Sequence, residues 1–170
     1  MVKVIRLSRN VYENGTTQHN VVFSVSGLFD DQEKLVNERI HIMTVLLESL
    51  FPNIIRITSI NISAHQASPE AKCLKPLEFS SRNSFISEGN EITLEQLKDV
   101  MLYCYSNSLE LELDILDIKN QHVTAVVNKD LPGYHFIYGT PETFTPEYLA
   151  TIKKKLKDCT FDGSFKKTLK

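Results

Sequence analysis

Seven consecutive residues, Leu109-Glu110-Leu111-Glu112-Leu113-Asp114-Ile115, alternate apolar and acidic without a break. Side chains alternate between the two faces of a strand, so this order turns the leucines one way and the carboxylates the other, about 7 Å apart along the chain. On a helix the same order would spread apolar and charged groups around the whole surface. The segment therefore requires a sheet with one face covered by an apolar layer and a charged face opposite.

The rest of the chain offers the covering layer. After Asp30-Asp31-Gln32-Glu33, an acid followed three residues on by Glu, come Val36, Ile40, Met43, Leu47 and Leu50, with Leu35, Ile42 and Leu46 widening the stripe. A capping box opening a broad apolar face predicts a helix that ends before Pro52. Thr93-Leu94-Glu95-Gln96 is a second capping box, with Leu97, Val100, Met101 and Cys104 behind it. Thr145-Pro146-Glu147 combines a cap, a first-turn proline and an acid at the positive dipole end, with Leu149, Ile152 and Leu156 as the buried stripe. Asp162-Gly163 is read as the stop of this third helix.

Strand signals fill the intervals. Asn14-Gly15 between Val2–Leu7 and Val21–Val25 predicts an opening hairpin. Ile54–Ala64 reads as a strand whose isoleucines change phase, which predicts a bulge or burial on both faces. Residues 66–90 carry two prolines and weak strands near 77–79 and 85–86. Leu109–Ile118, His122–Val127 and Tyr134–Tyr138 follow with short connectors, as in a meander. The expected class is α+β, in the order β-β-α-β-(β)-α-β-β-β-α. The sheet is mostly antiparallel, and the three helices pack largely on one face. Residues 1–163 are read as one domain and 164–170 as a basic tail.

Composition narrows function by exclusion. A net charge of −2 and an apolar fraction of 42% argue for an ordinary folded domain and against a dedicated nucleic-acid binder. Between residues 84 and 118 eight acids face Lys98 alone, and between 153 and 170 seven lysines face Asp158 and Asp162. Three scattered cysteines read as reduced thiols, and charge interrupts Met1–Arg6 too early for a signal-peptide core. The longest apolar run, Val100–Tyr105, is far short of a membrane span. A cytoplasmic protein is expected, without a cofactor.

Chemical motifs are sparse. The histidines and cysteines lack zinc spacing, and neither a glycine-rich phosphate loop nor a serine elbow is present, so no metal site is assigned. Asp117-Ile118-Lys119 is half of an acid-x-Lys nuclease pattern without converging carboxylates. His122 and Thr124 share a strand face as in His-x-Thr phosphoesterases, but no other histidine here has the hydroxyl two residues on. Tyr134, Phe136 and Tyr138 share one face, with His135 and Ile137 on the other.

The leading expectation is a non-enzymatic binding protein of inhibitor or immunity type. It docks a protein partner through the sheet face bearing Glu110, Glu112 and Asp114, and the Lys153–Lys157 helix is available to offset their repulsion. The alternative is a small-ligand binder or phosphoesterase-like enzyme with His122 and Thr124 in a pocket near residues 66–90.

Overall fold

The computed structural model describes residues 1–27, 31–51, 54–62, 79–81, 84–85, 90–116, 122–127 and 135–166. Strands β1 (Val2–Val11) and β2 (Thr17–Ser26) form the opening hairpin, and α1 (Gln32–Glu48) and β3 (Ile54–Ile62) follow. Short strands β4 (Phe79–Ser81), β5 (Ser84–Phe85) and β6 (Asn90–Thr93) lead into α2 (Leu94–Ser106). Strands β7 (Leu111–Leu116), β8 (His122–Val127) and β9 (His135–Gly139) precede α3 (Pro146–Lys155) and β10 (Thr160–Gly163). The fold is α+β with three helices among the described residues.

Local chemistry accounts for the element ends. Gly15 takes a φ of 82° in the hairpin loop, where Asn14 Oδ1 accepts from the Thr16 amide at 3.0 Å. Both halves of the Thr93–Gln96 box form: Thr93 N donates to Gln96 Oε1 at 2.9 Å, and Gln96 N to Thr93 Oγ1 at 3.2 Å. Thr145 caps α3 by accepting from Tyr148 N at 3.2 Å. At α1 the cap is Asp31, whose Oδ1 accepts from Lys34 N; Asp30, the expected cap, lies outside the described residues. The buried face of α1 centres on Leu35, Ile42, Met43, Leu46 and Leu47, so Val36 and Ile40 form its half-buried margin and Leu50 packs half-buried just past its end.

The main sheet has the order β10-β1-β2-β9-β8-β7-β3-β6, while β4 and β5 pair separately. The pairs from β1 through β6 in that order are antiparallel, but β10 joins β1 in parallel, Val4 opposite Thr160 and Leu7 opposite Gly163. The sheet is therefore mixed, and the expectation of a mostly antiparallel one is corrected. The expectation stopped at Asp162-Gly163 as a helix terminus, whereas α3 ends at Lys155 and the chain returns to the sheet edge. The phase change in β3 is a register shift between Ile57 and Ser59 against β7.

Register explains the core. Ile5, Phe23, His135, Val127, Leu111 and Ile62 stand opposite one another across six strands, and Leu7, Val21, Ile137, Ala125 and Leu113 form the next row. All of these are buried. Directly opposed residues point to the same side of a sheet, so the two rows make one continuous buried floor, apolar except for His135. Onto the core pack α1, α2 and α3 through Ile42, Met43, Leu46, Leu97, Met101, Cys104 and Ile152, each no more than 1% exposed.

Candidate partner-binding face

The residues between the core rows form the opposite face. One outer row runs Asp162, Arg6, Val22 and Phe136 from β10 to β9 and is in register with Glu112 of β7; the next runs Ser8, Asn20, Tyr138, Thr124 and Asp114. Leu111, Leu113 and Ile115 are buried, while Glu112 and Asp114 between them are half-buried, so the alternation in the sequence becomes the two faces of β7. Glu110 is exposed and stands one residue before the strand, after Leu109 has closed α2 by donating its amide to Cys104 O at 2.8 Å. None of the three acids is free of interactions within the chain.

Thr124 sits directly across from Asp114 and donates its hydroxyl to Asp114 Oδ1 at 2.5 Å, the short contact expected of an O–H on a carboxylate. This bond uses the Thr124 hydroxyl that a phosphoesterase reading would assign to substrate phosphate. His122 stands in β8 opposite Leu116, and its side chain lies outside the described residues, as do Asp117, Ile118, Lys119 and Tyr134. Beside Thr124, Phe136 and Tyr138 are half-buried and stack with ring centroids 5.6 Å apart. Arg6 reaches Asp162 at 3.3 Å at the far end of the outer row.

Two lysines of α3 are engaged elsewhere. Lys155 pairs with Glu48 at 3.1 Å, and Lys153 lies over the Phe161 ring at 5.8 Å. Lys3 meets Glu38 at 2.7 Å and Asp158 at 2.6 Å, which ties β1 to α1 and to the turn after α3. These hydrogen bonds, Asp158 first, raise the Lys3 pKa and hold Asp158 low. Burial pushes the neighbouring Cys159 thiol up to about 11, so it is not primed as a nucleophile.

Sequence reasoning did not anticipate the polar groups inside. His135 is fully buried, and burial with the nearby Arg39 charge lowers its pKa to about 3. Its place on the Ile137 face of an alternating strand was the available signal. Near the other end of β2, His19 stacks on Phe165 with centroids 4.3 Å apart, and burial, then Arg9, lowers its pKa. Among the described residues no group of three or more His, Cys, Asp or Glu is placed to hold a metal ion, and no helix is long and apolar enough to cross a membrane. No protein-family model, curated protein or solved structure matches the chain.

Proposed function

We propose that this protein works by binding, docking a protein partner on the sheet face that carries Glu110, Glu112 and Asp114, in the manner of an inhibitor or immunity-type protein. The observation that carries the reading is the register of β7. It sets two carboxylates out of the core phase in the same rows as the stacked Phe136–Tyr138 pair. A half-exposed aromatic pair beside acids supplies both parts of a recognition surface: apolar area that gains from desolvation, and charge that selects a basic partner.

In this reading the three helices lie together on the leucine side. Supporting contacts are Tyr105 of α2 on the His135 ring, Arg39 of α1 donating to Val25 O, and Tyr148 of α3 donating to Leu46 O. Cys159 is a free thiol, in keeping with action in the cytoplasm.

The test is the triple variant Glu110→Ser, Glu112→Ser, Asp114→Ser, compared with the parent chain by affinity capture and cross-linking mass spectrometry. Circular dichroism should stay that of the parent, melting should fall by about 3–6 °C through loss of the Thr124–Asp114 bond, and cross-links from captured protein should map to β7–β9 and vanish in the variant. Undiminished capture by a folded triple variant would remove the reading.

A further inference from the structure

Three polar side chains from three elements converge on the core side of the sheet: Arg39 of α1, Tyr105 of α2 and His135 of β9. His135 is fully buried and stacks on Phe23 with centroids 4.9 Å apart, while Tyr105 lies against it at 5.1 Å. The Tyr105 hydroxyl and His135 Nδ1 are 3.0 Å apart. The other ring nitrogen, Nε2, is buried and has no hydrogen-bond partner among the described residues.

Arg39 approaches from α1. Its Nη2 donates to Val25 O at 3.4 Å, two residues along β2 from Phe23, the residue opposite His135. Its charge acts on both His135 and Tyr105. The Arg39 Nε is likewise buried and unpartnered among the described residues. No ion pair between Arg39 and a described carboxylate is present, and the adjacent Glu38 is taken by Lys3.

The chemistry of these atoms specifies what they would hold. An arginine Nε–H can only donate. A neutral histidine carries one N–H, and of the two arrangements open to the Tyr105–His135 bond, the one in which the hydroxyl donates to Nδ1 puts that proton on Nε2. In that arrangement two buried donors lie beside a guanidinium with no carboxylate partner among the described residues, which an acceptor with negative charge would satisfy. A water molecule could accept from both but would leave the charge unmatched.

We propose that Arg39, His135 and Tyr105 form an internal binding site for a small oxyanion, a carboxylate or a phosphate, at the seam of α1, α2 and β9. Arg39 supplies the charge and one donor, His135 Nε2 the second donor, and Tyr105 fixes the tautomer. Arg39 is half-buried on α1. This proposal is independent of the partner-docking reading, which concerns the other face of the sheet.

The test titrates the full chain at pH 7 with inorganic phosphate, with acetate and with sodium chloride at matched ionic strength. It follows the melting temperature and the imidazole nitrogen resonances of His135 and of the exposed His41. A saturable rise in melting temperature with movement of the His135 Nε2 resonance is expected for phosphate or for acetate, and whichever saturates identifies the oxyanion class. Arg39→Gln should abolish both responses. Arg39→Lys keeps the charge but loses the Nε donor and should weaken binding about tenfold or more; it also serves should Arg39→Gln fail to fold. Equal effects of all three salts, movement confined to His41, or an undiminished response in either Arg39 variant would overturn the proposal.

Discussion

A methyl group at position 163 has nowhere to go. Gly163 holds a φ of 77°, and a Cβ built there would lie 2.2 Å from the Leu7 carbonyl oxygen, whereas the Cβ of a residue replacing Gly15, at φ 82°, would meet nothing within 4 Å. Backbone strain is common to both sites and the clash belongs to one. Gly15→Ala is expected to cost about 1 kcal/mol, and Gly163→Ala at least about 2 kcal/mol, with urea unfolding as the measure and faster amide exchange confined to β10 and its β1 neighbours as the signature. His135 makes a second prediction at this scale. Its unfolded pKa is near 6.5 and its folded pKa about 3, so between those values the unfolded chain holds the extra proton. The stability it contributes is complete above pH 6.5 and is lost as pH falls toward 3, a total on the order of 5 kcal/mol. His135→Gln should flatten the stability–pH curve across that window relative to the parent; an unchanged slope would show that His135 is not held neutral by the fold.

Among elements, the pairing of β7 with β8 is held on its outer face by the Thr124–Asp114 bond. Thr124→Val preserves shape and removes the donor, so it should cost about 1.5 kcal/mol, and a double-mutant cycle with Asp114→Asn should return most of that as coupling. Additive single costs would assign the strand pairing to packing alone. The face itself was legible in the sequence, because alternation at residues 109–115 depends only on which neighbours are apolar, and Glu112 and Asp114 lie where that pattern puts them. The caps at Thr93 and Thr145 were legible for the same reason, each being completed within four residues. Strand β10 was not, since Thr160-Phe161-Asp162-Gly163 holds a single large apolar residue and acquires its strand state from a partner more than 150 residues away. Arg39, Tyr105 and His135 were hidden for a related reason: each is unremarkable in its own helix or strand, and only tertiary packing brings them together.

For the whole molecule, the segment after α3 does more than follow the last helix. Phe165 stacks on His19 and on Phe144, which in turn lies against Tyr148, so the residues expected as a tail contribute an aromatic cluster across β2, the turn before α3 and α3 itself. Phe165→Ala should lower stability by roughly 2 kcal/mol, about half the cost of emptying a fully buried aromatic site, with β10 protected less against exchange while α1 and α2 keep theirs. A uniform loss of protection would show that the cluster belongs to one cooperative unit with the rest of the core.

The parallel seating of β10 also bears on how the chain is made. Residues 2–7 are made long before residues 160–163, the strand that closes their open edge, so while the intervening residues are synthesised β1 presents an unpaired edge to its surroundings. Nascent chains whose residues 160–163 have not emerged should accordingly engage chaperones and self-associate, and emergence of Gly163 should bring that vulnerability to an abrupt end.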